Sequence, residues 1–157
     1  MDELKRLLEM ALRSEIDSRD IYKNYAEKTK NALLKEKFEF LAKEEEKHRA
    51  MIENLLKIKY PNEPINIPDS TEVPLPRINV KENDPISKLL SQAMDAEIAA
   101  SKFYEQISSK FDDEKSYLMK YLSSVEMSHY YLLQAEREII LRFEDYDQYF
   151  EMMHVGP

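Results

Sequence analysis

No cysteine occurs anywhere in the 157 residues, which rules out a disulfide, a thiolate zinc site, an iron–sulfur cluster or a nucleophilic thiol in this chain. Glycine occurs once and tryptophan not at all. All-β architectures draw on far more turn glycine than that, so the fold has to be sought among helices. There is no run of five basic residues and the formal charge is −8, which argues against a nucleic-acid or anionic-membrane surface. Small molecules, cations and other proteins remain as partners. No stretch approaches 18 apolar residues, and "MDELKRLLEMALRSE" is an acidic amphipathic helix without the basic start of a secretory signal. A soluble cytoplasmic protein with no membrane contact is expected.

What is abundant is Leu, Ala, Glu and Lys in helical periodicity. Apolar positions recur at helix spacing from about Leu4 to Glu27, break at "KTKNA", and resume from Leu33 to about Ile58. Five prolines between Lys59 and Asp84 exclude a regular helix there, and "INI" and "RINV" suggest extended segments. "NDP" then offers Asp84 as an N-cap with Pro85 in the first helical position, predicting a third helix to about Phe111. "FDDEK" caps a fourth, predicted over roughly Asp113 to Leu141. The expected fold is all-α: a four-helix bundle of two helical hairpins joined by a long crossover at 59–84, one domain over 1–142, with a C-terminal tail at 143–157 that has room for a short helical turn.

The second hairpin repeats the first. An offset of 82 aligns Leu7, Leu8, Ala11, Glu15, Ile16 and Tyr22 with Leu89, Leu90, Ala93, Glu97, Ile98 and Tyr104. An offset of 81 aligns Leu41, Glu45 and His48 with Leu122, Glu126 and His129. Polar positions are matched along with apolar ones, which hydrophobic periodicity alone would not produce.

Each helix carries one glutamate on its apolar seam: Glu15 between Ala11 and Ser18, Glu45 and His48 between Leu41 and Ile52, Glu97 between Ala93 and Ala100, and Glu126 and His129 between Leu122 and Leu133. Four carboxylates in one bundle core would repel one another, and each carries a desolvation cost of several kcal/mol, about as much in sum as the whole stability of a domain. No Arg or Lys lies on the seams at that level. Two divalent cations balance four carboxylates, and a Glu and a His three apart share one helix face, so both can reach the bundle axis. Oxygen-rich ligation with two imidazoles suits iron or manganese better than zinc. The neighbours Glu44 and Glu46 fall off the seam and read as solvated charges. So does His154 in the tail, while Asp145 and Asp147 lack the surroundings of a calcium loop. Met10, Met51, Met119 and Met127 read as packing residues.

Glu15, Tyr22, Glu45, His48 and then Glu97, Tyr104, Glu126, His129 form two copies of one ordered signature, with Glu-x-x-His on the second and fourth helices. In this the chain resembles the ferritin-like superfamily and, within it, the rubrerythrin family, over about residues 4 to 141. The resemblance implies two iron ions per chain, with manganese or a mixed pair as alternatives. Glu45 and Glu126 would bridge them, Glu15 and Glu97 would be terminal ligands, and His48 and His129 would bind one ion each. Tyr22 and Tyr104 would donate hydrogen bonds to ligand carboxylates. It further implies a homodimer that reduces hydrogen peroxide or dioxygen with electrons from an external donor.

Two departures qualify this. Rubrerythrins carry a rubredoxin module with four cysteines, so here a separate rubredoxin-like protein would have to supply electrons. They also resemble one another in a further glutamate one turn from the third-helix ligand, where this chain has Met94 and Ala100, with Asp95 off the seam. A ferritin-like ferroxidase or iron-handling protein is the alternative, and a helical bundle without redox chemistry is a further one.

Overall fold

The computed structural model describes residues 2–154, with side chains over 2–144. Four helices follow in order: α1 (Glu3–Lys28), α2 (Ala32–Lys59), α3 (Ile86–Ser108) and α4 (Glu114–His154). Among the described residues there is no strand, and no helix is long and apolar enough to cross a membrane.

Three helices begin where a short polar side chain can satisfy the first free N–H groups. Asp2 Oδ1 accepts from Leu4 N at 2.9 Å, Asn31 Oδ1 from Leu33 N at 3.0 Å, and Asp113 Oδ1 from Lys115 N at 3.0 Å. The fourth start differs from expectation. Pro85 is the cap residue of α3 and no side chain caps that helix. Asp84 instead closes a turn by accepting from Lys81 N at 2.8 Å and pairs with Lys88 at 2.9 Å.

The far end of α3 is also shorter than its apolar periodicity suggests. Ser108 and Ser109 turn their hydroxyls back to the carbonyls of Glu105 and Gln106, at 2.6 and 2.7 Å, competing with the helical ladder. The chain leaves the helix there, before Phe111. In contrast α4 continues past Leu141 to His154. No Gly or Pro interrupts it before Gly156, so nothing in the backbone stops the helix where the bundle-facing seam ends.

The crossover forms no strand. "INI" and "RINV" run as unpaired chain along α1, whose groups supply the missing partners. Asn66 N donates to Glu9 Oε1 at 2.9 Å, Thr71 Oγ to Met10 O at 3.1 Å, and Tyr25 OH to Ile78 O at 2.7 Å. At its end Glu82 accepts from Lys30 N at 2.9 Å and Asn31 N at 2.7 Å, tying the crossover to the α1–α2 turn. The crossover therefore travels the length of the bundle, and α3 enters beside that turn.

The apolar core is in two parts. One gathers Leu8, Leu12, Ile52, Leu56, Met119 and Leu122 with Tyr104. The other gathers Leu34, Phe38, Leu41, Leu89, Leu90 and Leu133 with Tyr22. Val73 of the crossover is buried in the first and Ile78 in the second. A layer of charged side chains separates them.

Candidate metal centre

The separating layer contains the six seam residues. Glu15, Glu45, Glu97, Glu126 and His129 are 2 to 5% exposed, and the His48 side chain 14%. One helical turn within α2 places His48 beside Glu45, and one within α4 places His129 beside Glu126, because residues three apart share a helix face. α1 and α3 each contribute one carboxylate from the opposite side.

The distances bring the two hairpins together. His129 Nδ1 lies 2.7 Å from Glu97 Oε1 and 3.6 Å from Glu45 Oε1, so the α4 imidazole meets carboxylates of α3 and α2. His48 Nδ1 lies 3.8 Å from Glu15 Oε2 and 4.0 Å from Glu45 Oε2. The two imidazole rings meet edge to face, with centroids 4.7 Å apart. Three groupings have ligand atoms within 4.8 Å of one another: Glu45, His48 and His129; Glu15, His48 and Glu126; Glu97, Glu126 and His129. All six residues take part, and Glu126, His48 and His129 each belong to two groupings.

What these atoms lack is hydrogen bonds. Glu15 Oε2, Glu97 Oε2, His48 Nδ1 and both ring nitrogens of His129 are buried without a hydrogen-bond partner, the short contact to Glu97 being out of line for an N–H···O bond. Buried polar groups are rarely left so, since each costs about 1–3 kcal/mol. Among the described residues no Lys or Arg pairs with any of the four carboxylates. The adjacent Glu46 shows the ordinary alternative: Arg49 and Arg19 bond its carboxylate at 2.9 and 2.7 Å and hold its pKa down at about 2. Glu44 likewise pairs with Lys47 at 2.9 Å.

Burial, and then the charges of Glu126 and Glu45, push the proton affinity of Glu15 and Glu97 well above the ordinary carboxylate range. Burial lowers that of His129, opposed by Glu45 and helped by His48. Acids are thus driven toward the protonated form and the imidazole toward the neutral form. Lone pairs of a neutral imidazole and several carboxylates, aimed into one buried layer without counter-charge, are a donor set that fits divalent metal chemically as well as spatially.

Tyr22 and Tyr104 are fully buried, one in each part of the core, and burial followed by the surrounding glutamates raises both phenols well above their usual range. Neither hydroxyl makes the hydrogen bond expected of it in this structure. Tyr22→Phe should therefore stabilise the metal-free protein by about 1 kcal/mol, since an unsatisfied buried hydroxyl is removed. Urea unfolding of the metal-free variant checks this, and a destabilisation of similar size would mean that the hydroxyl has a partner.

Sequence reasoning missed the cover over the centre. Pro74 and Pro76 of the crossover close a cavity of about 10 Å³ that is also lined by Ser14, Ser18, Ala96 and Ala100 beside Glu15, Glu45, Glu97 and Glu126. Small residues on α1 and α3 at this level let the strap approach the carboxylates. The prolines were legible as helix breakers, but not as a lid on this layer. Met10 and Met119 are buried as packing residues, Met51 receives the Tyr121 hydroxyl at 3.1 Å, and Met127 lines a groove between α3 and α4. The side chains of Asp145, Asp147 and His154 lie outside the described residues.

The sequence model of a family described as Rubrerythrin matches residues 6–137. Among solved structures, a hypothetical protein from Pyrococcus furiosus is similar, 35% identical over 90% of this chain and 92% of that one, with a TM-score of 0.59. No curated protein matches.

Proposed function

Because the chain belongs to the rubrerythrin family, we propose that its buried layer is a di-iron centre and that the protein is an oxidoreductase acting on hydrogen peroxide or dioxygen. The observation that supports this most directly is the set of six inward Glu and His side chains, of which Glu15, Glu97, His48 and His129 have buried donor atoms without a hydrogen bond, and none of whose carboxylates has a Lys or Arg partner among the described residues. Once bound, two ferrous ions would supply the two electrons that, with two protons, convert hydrogen peroxide to two waters, each ion becoming ferric.

This chain's residues do the rest. Glu15, Glu45, Glu97 and Glu126 offset the charge of two divalent ions, while His48 and His129 add neutral ligands. Glu15 and Glu97, which hold protons readily in the metal-free layer, have to release them when metal binds. The two apolar clusters and the Pro74–Pro76 strap leave only about 10 Å³ beside the carboxylates, room for no more than about one water, so bulk water is kept out. Re-reduction falls to an external donor such as a rubredoxin-like protein, since no cysteine is available for a thiolate iron site within this chain.

Mixing anaerobic ferrous-loaded protein with hydrogen peroxide in a stopped-flow instrument should oxidise the iron at least about tenfold faster than free ferrous ion, a gain of about 1.4 kcal/mol in barrier. Equal rates would rule out the peroxidase reading.

Met94 and Ala100, standing where other rubrerythrins have a further carboxylate near the third-helix ligand, favour one second reading: ferrous ion as substrate of a ferroxidase. Continued oxidation of added ferrous ion beyond the bound complement, without an electron donor, would select it.

A further inference from the structure

The small cavity beneath Pro74 and Pro76 has walls that the duplication relates to each other. At the offset of 82 that pairs Glu15 with Glu97, Ser14 corresponds to Ala96 and Ser18 to Ala100, and all four line the cavity. The two walls differ in one respect: α1 offers two hydroxyls where α3 offers two methyl groups. Ser14 and Ser18 are 5 and 7% exposed. Burying a hydroxyl is costly unless it finds a partner, and the twin helix shows that a methyl group serves the packing.

The inventory of hydrogen-bonding groups around this cavity is lopsided. Ionised carboxylates accept and do not donate, so Glu15, Glu45, Glu97 and Glu126 bring no donor once they hold metal. Pro74 and Pro76 have no backbone N–H, and the two alanines have no polar side chain. Among the described residues lining the cavity, Ser14 and Ser18 alone can then donate a side-chain hydrogen bond into it. Four apart on one helix, their Cβ atoms lie about 5–6 Å from each other. Two hydroxyl bonds of about 2.7–2.8 Å can therefore meet at one oxygen between them. The cavity volume of about 10 Å³ is close to the least that holds a single water-sized oxygen.

We propose that Ser14 and Ser18 form a binding site for one oxygen atom of the oxidant, held by a water molecule in the resting protein, and that their hydroxyls donate to that oxygen as it gains negative charge. This rests on the peroxide reading above. When the O–O bond of hydrogen peroxide breaks, two electrons from the ferrous ions pass to its oxygens, two protons are taken up, and two waters leave. Negative charge develops on oxygen in that step. The serines contribute hydrogen bonds to it and neither electrons nor net protons. Fixed donors aimed at developing charge in a buried site act most strongly. Their placement on α1 alone directs that oxygen to the Glu15 side of the layer.

A crystal structure of the metal-free protein should show one water within hydrogen-bond distance of both serine hydroxyls, and that water should be lost from the double variant Ser14→Ala, Ser18→Ala. The ferrous-loaded double variant should react with hydrogen peroxide about a hundredfold more slowly than the parent protein, while binding the same complement of ferrous ion. Adding Ala96→Ser and Ala100→Ser to it returns the two hydroxyls from the opposite wall and should recover at least tenfold of the loss. A cavity without water in the parent crystal overturns the proposal. So does a double variant as fast as a fast parent, which leaves the peroxide reading standing, or a loss that the transposed serines do not recover, which assigns it to packing. A parent protein no faster than free ferrous ion removes the peroxide reading instead, and the crystallographic water alone then decides the oxygen site.

Discussion

Ferrous ion added anaerobically to the metal-stripped protein should raise its melting temperature by about 10 °C or more. A ligand at a hundred times its Kd stabilises the native state by about 2.7 kcal/mol, and two such ions by about twice that. A chain of this size gains roughly 2–4 °C per kcal/mol. The physical basis is that the metal-free protein holds four carboxylates in one layer with donor atoms of Glu15, Glu97, His48 and His129 unbonded. Those groups cost stability until a cation occupies them.

Glu126→Gln separates this from nonspecific binding. Glu126 belongs to two of the three ligand groupings, so its amide isostere should remove most of the metal-induced shift. The same substitution should leave the metal-free protein as stable as before or more so, because one member of a mutually repelling set is discharged. Glu46→Gln, on the outer pair with Arg49 and 44% exposed, should retain the full shift. Calorimetry with and without ferrous ion measures all three. No shift in the parent protein, or an undiminished shift in Glu126→Gln, would sink the assignment of the centre.

The second large effect is on pH. Glu15 and Glu97 have folded-state pKa values raised above the ordinary 4.5, by burial first and then by Glu126 and Glu45. An acid raised in this way contributes stability that is fully present below its unfolded pKa and is lost as pH rises through the folded one. His129 is displaced the opposite way, below 6.5, by burial, so its contribution is present above 6.5 and lost as pH falls through its folded value. Above about pH 6.5 only the carboxyls act. The metal-free protein should therefore gain stability on acidification through the raised folded-state pKa values of these two carboxyls, each proton taken up being worth about 1.4 kcal/mol per pH unit.

With metal bound the sign reverses, since protons and cations compete for the same oxygens. Urea midpoints at several pH values, with and without ferrous ion, display the two opposed slopes. The double variant Glu15→Gln, Glu97→Gln should flatten the metal-free slope. A slope that survives in that variant would assign the effect to the general relief of an acidic surface instead.

The seam glutamates were legible because the chemistry is written in spacing. Glu45 and His48, three apart on an apolar seam and repeated as Glu126 and His129, leave no polar surface to turn toward without exposing the seam. Glu46, beside Glu45, shows that one residue's displacement on a helix decides between an outer pair with Arg49 and a buried layer, while Glu44, read as solvated, is mostly covered at 14% exposed and keeps its charge by pairing with Lys47. Helix boundaries were legible where a side chain caps them, as at Asp2 and Asn31. They were not where the cap lies in competing local bonds, as at Asp84 and Ser108. The continuation of α4 to His154 was misread as a tail, because the bundle-facing seam fades while the helix itself meets no breaker.

The sequence by itself determined an all-α bundle of two like hairpins and the six inward side chains, since periodicity, capping and burial cost act locally or through repetition. It treats His48 and His129 as equivalents. Only the tertiary structure decided that the His129 side chain is 1% exposed and that of His48 14%. Only it decided that the crossover lies along α1 with Pro74 and Pro76 over the carboxylates, and that the Tyr22 and Tyr104 hydroxyls stand unbonded beside them. Those outcomes depend on how elements far apart in sequence meet, and a single crossover laid on a duplicated bundle necessarily makes its two halves unequal.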